Sequence, residues 1–187
     1  DGSNDGTDEI LKNHCDYLVI KNKKNLGKGS SIRNGLKLAS KNNIIIIDGD
    51  LEIDLDEVPK LTSAFEKNKY DVIIGKRWND NEKLGFQINR IGNFIINFIF
   101  NSLYKTNFND VLCCVRVIKK KSLISFNLKS KGFDIEIETI INIVNKGLKH
   151  KEVEVNYNRR MVQDGKKIKL SDTWVILWKM ISLKFRT

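Results

Sequence analysis

Ile44-Ile45-Ile46-Ile47-Asp48-Gly49-Asp50 passes in one step from four β-branched apolar side chains to two acids. A continuous apolar run ending in acid, Asn43 to Asp48, suits a strand covered on both faces. In open α/β sheets, ligands bind beyond the carboxyl ends of such strands. Alternate residues of an extended chain point the same way, so Asp48 and Asp50 are expected to face one ion. Hard oxygen ligands of this kind suit Mg2+ or Mn2+, which bridge to phosphate oxygens, and Gly49 lets the backbone come close. The plainer reading is that Asp-Gly-Asp is only a turn after a strand. Glu52, Asp54, Asp56 and Glu57 follow at once, and without a cation so many acids repel one another.

Outward from this run, the period of the apolar residues keeps switching between strand-like and helix-like. Upstream, Asp16 to Lys21 reads as a short strand and Lys28 to Ser40 as a helix with Ile32, Leu36 and Ala39 on one face. Downstream, Asp56 to Asn68 reads as a helix that tolerates Pro59 in its first turn, and Asp71 to Gly75 as a strand. Gly85 to Tyr104 reads as one long amphipathic helix or two short ones. Val111 to Ile118 is expected as a strand, Phe133 to Lys146 as a helix, Glu152 to Tyr157 as a strand and Ser171 to Phe185 as a helix. This alternation predicts an α/β fold with a mostly parallel central sheet. With 187 residues and neither repeat nor linker, one domain over 1–187 is expected.

Composition narrows the class. Hydrophobic residues make up 41% and charged residues 30%, enough apolar material for a real core. Three Cys, two of them the neighbours Cys113 and Cys114, exclude a disulfide-stapled scaffold. With two His and no CxxC pair, a structural zinc site is not expected. No apolar run is long enough to span a bilayer. The chain opens on Asp1-Gly2-Ser3, a turn sequence with no strand before it, and is read as a fragment lacking its natural N-terminus.

Net charge is +10, and Lys146 to Thr187 holds eleven Lys+Arg against four Asp+Glu, or +7. Such an excess attracts phosphates, nucleic acid or an anionic membrane, although a chain so rich in Lys also uses many of them merely as solvated surface. No helix-turn-helix cue, zinc finger or aromatic RNA-binding signature accompanies it, so nucleic acid is not an expected partner.

Seven segments carry a family resemblance, in order along the chain. Asp1-Gly2-Ser3-Asn4-Asp5-Gly6-Thr7 resembles the second half of DDGSxDGT. Asn25-Leu26-Gly27-Lys28-Gly29, with Arg33, Gly35 and Ala39, matches NxGKGxAxRxGxxxA. Asp48-Gly49-Asp50-Leu51-Glu52 stands where a DADLQ metal motif is expected, and Gly75-Lys76-Arg77 resembles G-S-R. Asp110 to Arg116 resembles DxxxGFR, Phe133 to Glu138 resembles F-x-x-E-x-E, and Glu152 to Arg160 with Gly165 to Ile168 resembles EVPISYxxR…GKKI. Together these are similar to family 2 glycosyltransferases of the GT-A fold, a Rossmann-like three-layer sandwich, and most to the dolichyl- or polyprenyl-phosphate sugar transferase branch. The sequence departs from the pattern at Glu154 for Pro, Cys114 for Gly, Val115 for an aromatic and Lys76 for Ser. The family's first strand and its nucleotide-binding loop would lie before Asp1.

The resemblance implies transfer of a hexose from a UDP- or GDP-sugar to a polyprenyl or dolichyl phosphate, with inversion and with Mg2+ or Mn2+ held by Asp48 and Asp50. Arg160, preferred over its neighbour Arg159 by spacing from Gly165, is expected at the diphosphate, where Asp1 and Lys28 are also expected. Arg77, Arg90 and Arg116 are candidates for the acceptor phosphate. Were the acceptor a sugar hydroxyl, as in polysaccharide synthesis, Asp110 would be the candidate base. Glu136 and Glu138 are expected to tie a helix to the sheet. Cys113 and Cys114 are read as small buried residues, and His14 and His150 as structural.

A lipid-phosphate acceptor implies a membrane surface, and peripheral attachment at the cytoplasmic face is expected. Phe94, Ile95, Phe98, Ile99 and Leu103 form one apolar stripe, and Trp174, Trp178 and Phe185 stand among Lys179, Lys184 and Arg186. Both stripes are also readable as ordinary core. A non-catalytic anion-binding module is the remaining alternative.

Overall fold

The four isoleucines form β1 (Asn43–Ile46) and its end, and the pleat divides them between two cores. Ile44 and Ile46 pack on one cluster with Val72, Ile74 and Ile118, while Ile45 and Ile47 pack on a second with Ile73 and Val117. The computed structural model describes residues 1–12, 17–67, 69–77, 88–158 and 170–185.

In chain order the described elements are α1 (Thr7–Lys12), α2 (Lys28–Leu38), β1, α3 (Glu57–Lys67), β2 (Val72–Lys76), α4 (Ile88–Tyr104), β3 (Arg116–Lys119), α5 (Lys120–Ser125), α6 (Ile135–Asn145), β4 (His150–Glu154) and α7 (Leu170–Lys184). One layer beside the sheet carries α4, α6 and α7, with Phe100, Ile137, Ile140 and Met180 buried in it. The opposite layer is α3, whose Leu61 and Phe65 meet Ile73 and Val115. Each fully buried Leu, Ile or Phe of this kind contributes on the order of 1.5–3 kcal/mol relative to exposure. α6 is buried on all sides from Ile135 to Ile141, so it reads as a core helix rather than an amphipathic one.

The sheet corrects the expectation of mostly parallel strands. Its order is β1-β3-β2-β4, with β3 antiparallel to both neighbours and β2 parallel to β4. The expected strand from Val111 to Ile118 is shorter and later, starting at Arg116. Residues 110–115 instead cross the carboxyl end of β2, where Gly75 donates its backbone N–H to the Val115 carbonyl at 2.9 Å. The chain therefore turns into β3 at the end where β1 and β2 finish, and must run against them. Tyr17 to Lys21, the described part of another expected strand, belongs to no strand and is exposed. The last expected strand is shifted: β4 runs from His150 to Glu154, and Tyr157 only bridges to Ile53. Gly85 to Tyr104 proves to hold a single helix over its described part.

Two glycines are demanded by a crossing at the start of α2. Gly27 has φ of +88°, and a Cβ on either Gly27 or Gly29 would collide with the backbone of Ser130 and Lys131. Gly29 donates to the Lys131 carbonyl at 2.8 Å and Arg33 reaches the Ser130 carbonyl, so this loop is strapped across the helix N-terminus.

Candidate active site

The carboxyl ends of β1 and β2, the N-terminus of α2 and the first turn of α6 converge. Lys28, the first residue of α2, places its Nζ 2.7 and 2.8 Å from the two oxygens of Asp48 and 2.6 Å from Glu136 Oε1. Burial alone would lower the Lys28 pKa, but Glu136 and then Asp48 outweigh it and hold the ammonium above the ordinary lysine range. Behind it, Arg116 Nη2 lies 3.0 Å from Glu136 Oε2, and its guanidinium also donates to the carbonyls of Glu136, Val111 and Cys113. A groove of about 590 Å3 runs beside α2 and β1 from Lys28 and Asp48, lined by Ile32, Leu36, Ile44 and Ile46.

Asp50 lies in the turn after β1, partly exposed, where its Oδ1 accepts from the Glu52 backbone N–H at 3.1 Å. Leu51 takes φ of +60° to make this turn. Glu52 is itself fastened from the far end of the chain, accepting from the Tyr157 hydroxyl at 3.1 Å, while its carbonyl accepts from Asn158 N–H at 2.7 Å. Asp48, which lines the groove, and Asp50, in the turn after it, thus offer hard oxygen ligands two positions apart in the sequence. Among the described residues no group of three or more His, Cys, Asp or Glu is placed to hold a metal ion by itself. That donor set fits Mg2+ or Mn2+, which bind through one or two carboxylates and complete their shells with phosphate oxygens and water.

At the end of β2, Arg77 meets Asp110 in a two-pronged pair, Nε to Oδ2 and Nη2 to Oδ1, both at 2.8 Å. The Arg77 backbone N–H adds a third bond to Oδ2, and its guanidinium stands 5.4 Å from the centre of the Tyr157 ring. Burial alone would lower the Arg77 pKa; Asp110 holds it well above the ordinary arginine range.

Several expected roles change in this geometry. Asp110 is 2% exposed and serves as the counter-ion of Arg77, which removes it as an accessible general base. Arg116 is 1% exposed and committed to Glu136 and three carbonyls, so it is a core strut rather than an acceptor-phosphate contact. Asp1 does not point into the groove: its carboxylate accepts from Leu26 N–H, Gly27 N–H and the Asn22 amide at 2.8–2.9 Å and clamps the loop that leads into α2. Asp48 and Lys28 are brought together, Asp50 lies in the turn just after β1, and Arg77 stands at the end of β2, one strand removed from β1 in the sheet. Arg160, Gly165 to Ile168 and His14 lie outside the described residues, as does the side chain of Arg90.

Glu136 joins α6 to Arg116 of β3 and to Lys28, whereas Glu138 accepts from the backbone N–H groups of Lys129 and Ser130 at 2.7–3.0 Å and so holds the loop before α6 rather than the sheet. The two-sided contact of Glu136 with Lys28 and Arg116 was not legible in sequence. Cys113 is fully buried, and burial raises its thiol well above the ordinary range, which makes it an inert core residue. His150 stacks on Phe108 with ring centres 4.6 Å apart.

The chain matches the family model of glycosyl transferase family 2 over residues 1–126. It is 29% identical over 161 residues to glycosyltransferase AglJ of Haloferax volcanii, covering 85% of this chain and 52% of that protein. It is 24% identical to dodecaprenyl-phosphate galacturonate synthase of Rhizobium johnstonii, covering 64% of this chain and 36% of that protein. The chain thus spans about half or less of the length of these relatives. Among solved structures, its fold is similar to glucosyl-3-phosphoglycerate synthase from Mycobacterium tuberculosis in complex with UDP, with TM-score 0.73 at 17% identity over 98% of this chain and 66% of that one. The same synthase in complex with Mn2+, UDP-glucose and phosphoglyceric acid gives TM-score 0.67 at 14% identity, over 98% of this chain and 66% of that one.

Proposed function

The chain belongs to glycosyl transferase family 2, and on that premise we propose that it is a catalytic domain moving a hexose from a UDP- or GDP-sugar to a polyprenyl or dolichyl phosphate at a membrane surface. The observation that carries this reading is the Lys28–Asp48 ion pair in the groove beside β1, with Asp50 in the turn that follows the same strand. Two carboxylates and an ammonium at one strand end suit a diphosphate and its counter-cation far better than a neutral ligand. A polyprenyl-phosphate acceptor is supported by the likeness to the galacturonate synthase.

In the transfer, an oxygen of the acceptor phosphate forms a bond to the anomeric carbon while the bond from that carbon to the β-phosphate oxygen breaks. The electron pair leaves with the nucleoside diphosphate, and the configuration inverts. Asp50 and Asp48 would hold a divalent ion, which would supply Lewis-acid neutralisation of the charge growing on the β-phosphate. Lys28, at the N-terminus of α2, adds a fixed cation on the same side. Arg160 is proposed at the same diphosphate, where a guanidinium fork suits phosphate. The acceptor, with a second pKa near ~6 by analogy with phosphorylated side chains, is already ionised at neutral pH and needs no base. Arg77, fixed by Asp110, and Arg90 are the proposed acceptor-phosphate cations. Transfer to a sugar hydroxyl is the weaker reading, because it requires a base and Asp110 is committed to Arg77.

Two helix surfaces supply a bilayer-facing side. On α4, Ile96 and Phe100 are buried while Phe94 and Phe98 are 66% and 64% exposed. On α7, Ile176 and Met180 are buried while Trp174, Trp178 and Phe185 are more than 70% exposed. Among the described residues no helix is long and apolar enough to cross a membrane. These exposed aromatic faces support seating of this domain on a membrane surface, which we propose is the cytoplasmic face.

Calorimetric titration with UDP and GDP, with and without Mn2+, tests the assignment. Metal-dependent binding of one nucleotide, lost in Asp50→Ala, is the expected result. A folded protein that binds neither would leave only an anion-binding module.

A further inference from the structure

Arg116, Glu136, Lys28 and Asp48 form an alternating chain of charges leading from the core to the groove, each in contact with the next at 2.6–3.0 Å. Side-chain exposure rises along it from 1% for Arg116 through 8% for Glu136 and 14% for Lys28 to 31% for Asp48. The inner end is fixed, since Arg116 donates to three backbone carbonyls as well as to Glu136. Only the outer end is placed to change partner.

Lys28 occupies both oxygens of Asp48, one of the two proposed ligands of the divalent ion. An ammonium and a divalent cation compete for that carboxylate, and they repel each other. The same ammonium also forms an ion pair, at 2.6 Å, with the Oε1 of a second carboxylate, Glu136.

We propose that Glu136 is a positioning residue for the metal site, holding Lys28 from behind so that Asp48 is released to a divalent cation while the ammonium stays beside the diphosphate. This rests on the reading of Asp48 and Asp50 as metal ligands. The arrangement keeps a cation at the site in both states. In the absence of metal, Lys28 neutralises Asp48 and keeps the acidic end of β1 from repelling itself. When a divalent ion arrives, Glu136 retains Lys28 and Asp48 turns outward. With a neutral residue at 136, Lys28 has Asp48 as its remaining carboxylate among these contacts, and Arg116 contributes an uncompensated positive charge behind it. Both effects oppose a second cation.

The test is Mn2+ binding by the intact protein, read by calorimetry and by the electron-spin signal of free Mn2+, both without nucleotide and with UDP or GDP present but no sugar turned over. Glu136→Gln is expected to weaken Mn2+ binding by roughly tenfold or more, as loss of an outer-shell partner typically does. Lys28→Met is expected to change it in the opposite direction, tightening Mn2+ binding measured without nucleotide, because the competitor for Asp48 is gone. In the double variant the cost of Glu136→Gln should shrink several-fold, since Glu136 acts through Lys28. An equal cost in both backgrounds, or no gain from Lys28→Met, overturns the proposal, and the Lys28 result stands even if Glu136→Gln fails to fold. Mn2+ binding abolished by Asp50→Ala yet indifferent to Lys28 and Glu136 overturns this inference alone. No Mn2+ binding by the unaltered protein overturns the metal reading and this inference with it.

Discussion

Arg77 and Asp110 illustrate how a single pairing changes the reading of one residue and fixes the position of the other. By sequence each was a reagent, one for an acceptor phosphate and one for a proton. In the structure three hydrogen bonds join them, two of them side chain to side chain at 2.8 Å. Removing one partner of a buried pair leaves the other charged and unsolvated, at a cost of about 3–5 kcal/mol. Asp110→Asn keeps the shape and removes the charge, so it is expected to lower unfolding free energy by an amount approaching that range. Urea denaturation measures it; a change below about 0.5 kcal/mol, the ordinary size for surface sites, would contradict the pairing. Loss of activity in this variant would then follow from loss of fold, not loss of a base.

At the scale of elements, the junction of β2, β3 and β4 turns on Asp71, just before β2. Its Oδ1 accepts from Lys119 Nζ at 2.6 Å and its Oδ2 from the Lys149 backbone N–H at 3.1 Å. The Lys119 bond, followed by the Lys149 bond, lowers the Asp71 pKa below its usual 3.8 in spite of some desolvation. A carboxyl with a depressed folded pKa stabilises the fold above its unfolded value, and that contribution fades as pH falls through the folded one. Thermal unfolding from pH 6 down to pH 3 is expected to show a shallower loss of Tm in Asp71→Asn than in the unaltered protein. Parallel curves would remove Asp71 from the account. The same junction explains the direction of β3: its first residue pairs with Ile46 and Ile74, at the carboxyl ends of β1 and β2, and its last with Asn43.

For the molecule as a whole, charge and apolar surface are distributed unevenly. The chain carries +10, and the residues just before α7 include Lys166, Lys167 and Lys169. Exposed Trp174, Trp178 and Phe185 on α7 add aromatic surface of the kind that settles at a membrane interface. Co-sedimentation with vesicles containing anionic lipid is expected to fall several-fold for Trp174→Ser with Trp178→Ser. The fold should be untouched, because both rings are more than 70% exposed. Binding unchanged by the double substitution would move the membrane contact elsewhere.

Local pattern was enough to locate most elements. Helices α2, α3, α4, α6 and α7 fall within one or two residues of their periodic stretches over the described residues, because a 3.6-residue period is written in neighbouring side chains. The isoleucine run ending in Asp48-Gly49-Asp50 identified the strand and the acids at its rim for the same reason. Strand direction was not legible, since it depends on which end of the sheet the segment 110–115 crosses. Neither was the site's wiring: Lys28, Asp48 and Glu136 are far apart in sequence, as are Arg77 and Asp110, and a contact made only on folding leaves no periodic trace. Sequence by itself determined the residue types available for binding a diphosphate and a hard cation. Tertiary structure alone decided which charges neutralise one another and which face the groove, because burial makes an unpaired charge too costly to keep.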